Sequence, residues 1–195
     1  MSGPEVSLTV QARTGPIILR HPRLADYESW WRLRELSRES LSLWEPEWDG
    51  NLASRKAFKQ RLAVYRRLVA AGTAFPFHVM TEDGELVGAC NLSEVKRSVA
   101  RSGQIGYWIG SPFMRRGYGL AAVEAVTDFA FAHLSLHRVE AAVQADNIAS
   151  VSLLEKAGYH FEGVARGYLQ VGGAWRDHAI YSRLATDPET SGSKF

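Results

Sequence analysis

Two arginines and two glycines stand together at residues 115–119, where a strand-like segment gives way to an apolar-periodic stretch that predicts a helix. Gly117 and Gly119 allow backbone conformations and close approaches that other residues do not. A helix beginning there would point unpaired N–H groups and the positive end of its dipole into the turn. Arg115 and Arg116 add two positive charges, so the sequence predicts an anion site that suits a diphosphate.

The same glycines fit a second pattern, the G-x-G-x-x-G/A fingerprint of dinucleotide-binding proteins. Ala122 would take its last position, and Glu140 would be the acid that binds the ribose. That pattern requires the first glycine to follow its strand directly, whereas residues 111–116 intervene here. Glu140 also falls inside a predicted strand rather than at its carboxyl end. A dinucleotide site is therefore the weaker interpretation of the turn.

Composition restricts the other functions. The chain has 195 residues, enough for one domain with a substantial core, and its apolar fraction is 46%. It contains no run of about 20 apolar residues that could span a membrane, and its first residues lack the features of a signal peptide, which predicts a cytoplasmic protein. The single cysteine, Cys90, excludes an intrachain disulfide, and a net charge of +2 does not favour direct binding to nucleic acid. The six histidines show no metal-ligand spacing, so no metal site is predicted.

Hydrophobic periodicity predicts the order of the elements. A strand over residues 17–20 is followed by two helices, the second ending at Gly72, and by three strands, the last at residues 104–109. The anion turn and its helix come next, then a strand, a short helix closed by Gly158, and two final strands. The strand–helix–strand unit requires two parallel strands, so the predicted fold is mixed α/β, a mostly antiparallel seven-stranded sheet with helices on both faces. We expect residues 1–15 to be a flexible N-terminus, residues 16–184 to form a single domain and residues 185–195 to be a disordered tail.

The stretches MRRGYG at residues 114–119 and NIASVSLLEKAGY at residues 147–159 form a pair of motifs. In order and separation they resemble the Q/R-x-x-G-x-G/A and N-x-x-S-x-x-L-x-E-K-x-G-F/Y motifs of the GCN5-related N-acetyltransferases, or GNAT enzymes, with Met114 departing from the first pattern. IILRHPRLAD at residues 17–26 and GQIGYWIG at residues 103–110 are similar to the ribosomal-protein-alanine acetyltransferases, the Rim branch of that family. The resemblance implies the GNAT fold and acetyl transfer to an amine.

The resemblance also implies acetyl-coenzyme A as the cosubstrate and identifies residues to bind it. The strand before the turn would splay from its neighbour, so that its free backbone groups pair with the pantetheine arm and one N–H polarises the acetyl carbonyl. Asn147 would hydrogen-bond the coenzyme arm, and Lys156 would reach a phosphate. The implied coenzyme-binding residues are Tyr107, Trp108, Ile109, Met114, Arg115, Arg116, Gly117, Tyr118, Gly119, Leu120, Ala121, Asn147, Ser150 and Lys156.

The catalytic groups are less directly specified. Many relatives carry a tyrosine one turn beyond the serine of the second motif, where this chain has Leu154. The resemblance to the Rim branch implies that Ser150 serves the leaving sulfur; the alternative is a serine that only satisfies backbone amides at the start of a helix. Gln104 stands where the branch usually has glutamate, so no acid is carried over there. Our candidate general base is Glu94, the alternative being a solvated loop acid.

The acceptor is inferred from chemistry and from the branch. An α-amino group titrates near ~8, so an appreciable fraction is neutral at physiological pH, whereas lysine near ~10.4 needs far more help. The resemblance implies the N-terminal amine of a protein, a ribosomal one in the Rim branch, and a monomeric or homodimeric enzyme. Trp44, Glu45 and Glu47 are candidates for the acceptor groove, where the carboxylates would attract a cationic amine; otherwise Trp44 only covers the core. A non-catalytic acyl-coenzyme A-binding protein and a small-molecule acetyltransferase remain open on the same fold.

Overall fold

The structure is a computed structural model that describes residues 6–45 and 54–188. Its strands are β1 (Ser7–Ala12), β2 (Gly15–Arg20), β3 (Phe75–Thr81), β4 (Leu86–Lys96), β5 (Ser102–Ile109), β6 (Arg138–Val143), β7 (His160–Val171) and β8 (Ala174–Leu184). Its α-helices are α1 (Tyr27–Leu36), α2 (Arg38–Ser42), α3 (Arg55–Ala71), α4 (Tyr118–Ala132) and α5 (Ile148–Lys156). The strands form one sheet in the order β1-β2-β3-β4-β5-β6-β8-β7, in which only the pairing of β5 with β6 is parallel. The mixed fold is confirmed, with eight described strands instead of the seven that were predicted.

The additional strand, β1, lies in the segment expected to be flexible. The prediction for residues 1–15 is wrong over Ser7–Ala12, which pairs antiparallel with β2 in a register that runs from Ser7 opposite Arg20 to Ala12 opposite Gly15. Leu8 and Val10 alternate with polar residues and pack against the core. A two-stranded hairpin is marginal in isolation, so its order depends on pairing with the rest of the sheet and on contact with α4.

Helices cover both faces of the sheet, as predicted. Phe129 of α4 packs edge-on against Phe75 and Phe77, with ring centroids 5.2 and 5.8 Å away. On the opposite face of β3, the His78 ring lies 6.4 Å from Phe58 of α3. The predicted end of α3 is also confirmed, because Gly72 adopts the left-handed conformation with φ 67° and closes the helix.

The two parallel strands separate part-way along their length. β5 and β6 are paired only from Ser102–Arg138 to Gln104–Glu140, whereas β5 stays paired with β4 as far as Ile109. Within the described residues, the part of β5 from 105 to 109 therefore has no strand partner on the β6 side. We call the gap between β5 and β6 beyond Gln104 the wedge.

A buried carboxylate ties the start of α1 to the sheet. Asp26 is 6% exposed and accepts two hydrogen bonds from the Arg20 guanidinium, at 2.7 and 2.9 Å. It also accepts from Nδ1 of the buried His78 at 2.9 Å and from the backbone N–H of Arg23 at 2.8 Å. One side chain thus connects β2, β3 and the turn that leads into α1.

The end of the domain is ordered slightly beyond the predicted limit. Ala185 donates its N–H to the carbonyl of His137 at 2.9 Å, and the Asp187 carboxylate accepts from the Leu184 N–H at 2.8 Å. The remainder of the tail predicted to be disordered, residues 189–195, lies outside the described residues. None of the helices in residues 6–45 and 54–188 is long and apolar enough to cross a membrane.

Candidate functional site

A cavity of about 1050 Å³ occupies the wedge. Its wall includes residues 105–109 of β5 on one side and residues 141–144 at the end of β6 on the other. The turn before α4 and the first turns of α5 close one end of the cavity. The region of α2 contributes Leu41 and Trp44 from the other face of the sheet. The cavity therefore reaches both the α4 side and the α1 side of the sheet.

The predicted anion turn lies in the wall of this cavity. Arg115 and Gly117 both adopt left-handed backbone conformations, with φ 61° and 87°, and α4 begins directly after them at Tyr118. Alternating left-handed residues before a helix gather N–H groups into a concave surface that attracts anions. Arg115 lines the cavity, whereas the Arg116 guanidinium lies 5.6 Å from the Phe113 ring and is not part of the wall. The structure thus brings one of the two predicted arginines to the site.

The two glycines of the turn are required for different reasons. A Cβ at Gly117 would stand 3.0 Å from Cβ of Arg13, so the absence of a side chain lets the β1–β2 turn approach. A Cβ at Gly119 would stand 2.8 Å from Cδ1 of Leu153, so this glycine allows α4 to pack closely against α5. Gly119 is an ordinary helical residue of α4, and close packing rather than an unusual backbone angle explains it.

The β1–β2 turn is a part of the site that the sequence analysis missed. The Arg13 guanidinium donates to the carbonyl oxygen of Arg115 at 2.5 Å, and the Thr14 hydroxyl donates to that of Arg116 at 3.3 Å. Arg13 also lines the cavity, with Gln11 and Ala12. The alternation of residues 7–12 and the following Thr14-Gly15 pair were the available signals for a hairpin, but nothing in them identified its contact with the anion turn.

Ser150 and Tyr107 meet inside the wedge. Their hydroxyl oxygens are 2.6 Å apart, so the alternative interpretation of Ser150, a hydroxyl that only satisfies helix amides, does not describe its contact. Asn147 takes that capping role, since its side-chain oxygen accepts from the Ser150 N–H at 3.1 Å. Burial raises the pKa of the Tyr107 phenol, against the opposing effect of the hydrogen bond with Ser150, which keeps the phenol protonated at neutral pH. Leu154 is fully buried at 1% exposure.

The remaining predicted coenzyme residues are distributed along the same wall. Trp108 and Ile109 line it from β5, and Lys156 lines it from the end of α5. The other predicted lining residues come from the anion turn and the first turn of α4, and they are Met114, Tyr118, Leu120 and Ala121. All the residues predicted to bind the coenzyme, except Arg116, therefore line the cavity.

On the α1 side, an ion pair lies over Trp108. The Arg34 guanidinium is 5.0 Å from the Trp108 ring and binds both carboxylate oxygens of Glu45, one of them at 2.9 Å. Trp44 and Glu45 line the cavity. Arg34 engages both oxygens of Glu45 and balances its charge, so the attraction of this carboxylate for a cationic amine is weaker than expected for a free acid. Glu47 lies outside the described residues.

Glu94, the candidate base, is not brought to the cavity. It belongs to β4, which continues to Lys96, and it is exposed at an irregularity in the pairing with β5. Its φ of 49° turns the backbone there, and the side chain does not contribute to the cavity wall. The structure therefore agrees with the alternative given above, a solvated acid.

His178 of β8 and Gln144, which follows β6, are two wall residues that the sequence analysis did not select. His178 is 4% exposed, and Nε2 of Gln144 is a buried donor without a partner in the described part of the chain. Their approach to the wedge follows from the pairing of β6 with β8, which no local sequence pattern reveals.

Comparison with known proteins identifies the family. Residues 17–160 match the family described as "Acetyltransferase (GNAT) domain". The chain belongs to the GNAT acetyltransferases. The enzyme is 30% identical over 190 residues to the [Ribosomal protein uS5]-alanine N-acetyltransferase of Escherichia coli, covering 94% of this chain and 93% of that relative. It is 34% identical over 132 residues to the "Probable N-acetyltransferase YjcK" of Bacillus subtilis, covering 67% and 73% of the two chains.

Solved structures agree with this assignment. Mycobacterium smegmatis RimJ in complex with CoA-disulfide superposes with a TM-score of 0.87 at 31% identity, over 92% of this acetyltransferase and 87% of that chain. The ribosomal-protein-S5-alanine acetyltransferase of Vibrio fischeri gives a TM-score of 0.84 at 28% identity, over 93% and 98%. The protein is thus an acetyl-coenzyme A-dependent N-acetyltransferase of the RimJ/RimL type.

The acetyltransferase provides a matched pair of glycines for testing the anion turn. Gly117→Ala is expected to raise the Kd for acetyl-coenzyme A about tenfold or more, because a left-handed alanine costs about 1–2 kcal/mol and its Cβ displaces Arg13. Gly84→Ala carries the same left-handed strain at φ 82°, in the β3–β4 turn with no atom within 4 Å of its Cβ. We expect it to lower stability similarly and leave the Kd unchanged in a calorimetric titration. Equal Kd values for the two variants would contradict the anion assignment.

Proposed function

We propose that this acetyltransferase transfers the acetyl group to the N-terminal α-amine of a protein, with a ribosomal protein as the first acceptor to test. The observation that carries the proposal is the cavity through the wedge, which has the anion turn at one end and an aromatic, charge-balanced wall at the other. The choice of acceptor is supported by the alanine N-acetyltransferase relative, whose similarity extends over 94% of the chain.

The α4 end of the cavity suits acetyl-coenzyme A, which supplies an activated thioester and a diphosphate. Arg115 and the first amides of α4 would hold the diphosphate, while Arg13 fixes the backbone of the turn. The β5 backbone beyond Gln104 has no β6 partner, and its free groups would pair with the pantetheine arm. Lys156 would add a charge near a phosphate, and Asn147 would act mainly by capping α5.

The Tyr107–Ser150 pair would serve the leaving sulfur. Ser150 lies in the cavity wall on α5, and its hydroxyl would donate a hydrogen bond to the thiolate as it departs. Tyr107 would orient Ser150 by donating to its Oγ, at the observed separation of 2.6 Å. Because its raised pKa keeps the Tyr107 phenol protonated, the donor is available across the ordinary pH range.

The α1 end of the cavity favours a singly charged acceptor. Trp44 and Trp108 provide flat apolar walls, and the Glu45 carboxylate is already neutralised by Arg34. A polyamine carries several positive charges that such a wall would not balance. A peptide N-terminus needs room for one amine and an extended backbone, and its amine is partly neutral at physiological pH.

Thiol release with defined peptides tests the acceptor. We expect turnover with an alanine- or serine-initiated peptide, and none with the same peptide carrying an Nα-acetyl group and an internal lysine. Spermidine is the control for a small polyamine. Faster turnover of the blocked peptide or of spermidine would refute the α-amine assignment. Mass spectrometry of protein N-termini from cells with and without the chain would then identify the natural acceptor.

A further inference from the structure

A buried histidine, His178, lines the wall of the wedge. His178 lies on β8, one residue before Ala179, which pairs with Val143 at the end of β6. Its side chain is 4% exposed and forms part of the same cavity wall as Tyr107 and Ser150. An imidazole ring thus lies almost fully buried within the wall of the wedge.

The contacts of His178 fix which ring nitrogen carries the proton. Nδ1 is 3.0 Å from the carbonyl oxygen of Arg176, and a carbonyl oxygen can only accept. The neutral ring must therefore hold its hydrogen on Nδ1, which leaves the lone pair on Nε2. Nε2 has no hydrogen-bond partner among the residues that the structure describes. The ring is thus prepared to accept one proton.

A neighbouring bulge keeps the ring in place. The Tyr168 ring lies 5.8 Å from His178, and its hydroxyl accepts from Nε2 of Gln104 at 3.1 Å. Tyr168 stands in the register shift of β7 between Ala165 and Leu169, where Gly167 donates its N–H to the Asp177 carboxylate at 2.7 Å. Asp177 therefore stabilises the bulge, and the bulge holds the Tyr168 ring beside His178.

We propose that His178 is the general base for the acceptor, its Nε2 taking the proton that the amine nitrogen loses. The inference rests on the proposed function, because it requires an acceptor amine that loses a proton at the α1 end of the cavity. The amine nitrogen forms the N–C bond, the C–S bond breaks with its electron pair on sulfur, and the thiolate takes a proton from solvent to become a thiol. His178 returns its proton to solvent, so one proton moves in net from nitrogen to sulfur.

Other ionisable groups on the elements next to β8 and in the cavity wall must be considered as alternative bases. Glu140 of β6 is paired with Arg138, and Glu45 is paired with Arg34. The Asp177 carboxylate accepts from the Gly167 N–H. The groups to consider from the packed elements are Glu140 and Arg138 on β6, Tyr168 on β7, Arg176 and Asp177 on β8, and the Arg34–Glu45 pair.

His178→Asn is the direct test, because its amide nitrogen can still donate to the Arg176 carbonyl while Nε2 is lost. With an alanine-initiated peptide, we expect kcat/KM to fall about 100-fold at neutral pH. The Kd for acetyl-coenzyme A should be unchanged. His160→Asn, at an exposed position of β7, is the matched control and should keep the wild-type kcat/KM. Nitrogen-15 spectra of the imidazole groups should show His178, assigned by difference from the variant, as the Nδ1–H tautomer.

The outcomes separate this proposal from the one on which it rests. A kcat/KM of His178→Asn within about threefold of wild type, or an Nε2–H tautomer in the wild-type chain, would overturn the role of His178 alone. A wild-type chain that binds acetyl-coenzyme A but releases no thiol with free α-amines would overturn the proposed acceptor and the base together.

Discussion

Replacing Ser150 with alanine is expected to lower kcat about 10³-fold while changing the Kd for acetyl-coenzyme A by less than about threefold. The hydroxyl faces the cavity and pairs with Tyr107 at 2.6 Å, so its removal takes away the donor for the departing thiolate. The helix should remain intact, because the bond that caps it uses the Ser150 N–H and the Asn147 side chain. Steady-state thiol release and a calorimetric titration of the coenzyme measure the two quantities.

A matched control and a double variant make this result specific. Ser152→Ala removes a hydroxyl from the same helix and the same cavity wall, and its kcat should stay within about twofold of wild type. Tyr107→Phe should lower kcat less than Ser150→Ala, since it removes only the group that orients Ser150. In the double variant the losses should not add, because the two hydroxyls act as a unit. Fully additive losses would show that Tyr107 acts independently of Ser150.

Asp26→Asn is expected to reduce the free energy of unfolding by about 3–5 kcal/mol at neutral pH, the largest stability effect that we predict. The change leaves Arg20 and the buried His78 without the carboxylate that both of them contact. Urea denaturation measures the loss as a lower midpoint concentration with an unchanged m-value. Glu28→Gln is the control, since the pair that it forms with Arg55 is 3.4 Å long and both side chains are more than half exposed. We expect a change below about 1 kcal/mol there.

The pH dependence of this loss follows from the two pKa shifts. Burial raises the pKa of Asp26, but hydrogen bonds from Arg20, His78 and Arg23 outweigh it and leave the pKa well below its ordinary range. Burial lowers the pKa of His78 despite the nearby Asp26 carboxylate. In both cases the unfolded chain binds more protons in acid, so wild-type stability should fall first below about pH 6.5 and again below about pH 4. In Asp26→Asn, the free energy of unfolding should not fall a second time below about pH 4, so the wild-type and variant curves should converge in that range. A difference between the two curves that stays constant down to low pH would contradict the assignment.

The linear order of motifs determined the fold and the coenzyme end of the site. Hydrophobic periodicity predicted a strand at residues 104–109, which lies within β5 of the structure, and Gly72 ends α3 as predicted. The two GNAT motifs located the turn at Arg115 and Gly117 and the helix carrying Ser150. Such features are local, because a left-handed glycine, a helix start and a strand–helix–strand unit are each specified by residues that are adjacent in the sequence.

Other features of the cavity were decided by tertiary structure alone. Glu94 stands in an irregularity of β4 outside the cavity wall, and Glu45 is neutralised by an arginine eleven positions earlier in the chain. Arg13 reaches the anion turn across 102 positions, and His178 enters the wedge through the pairing of β8 with β6. Charge and reactivity at these positions depend on partners brought together by strand register. A linear sequence gives the residue types. The pairing of strands in the folded sheet determines which carboxylates are ion-paired and which side chains line the cavity.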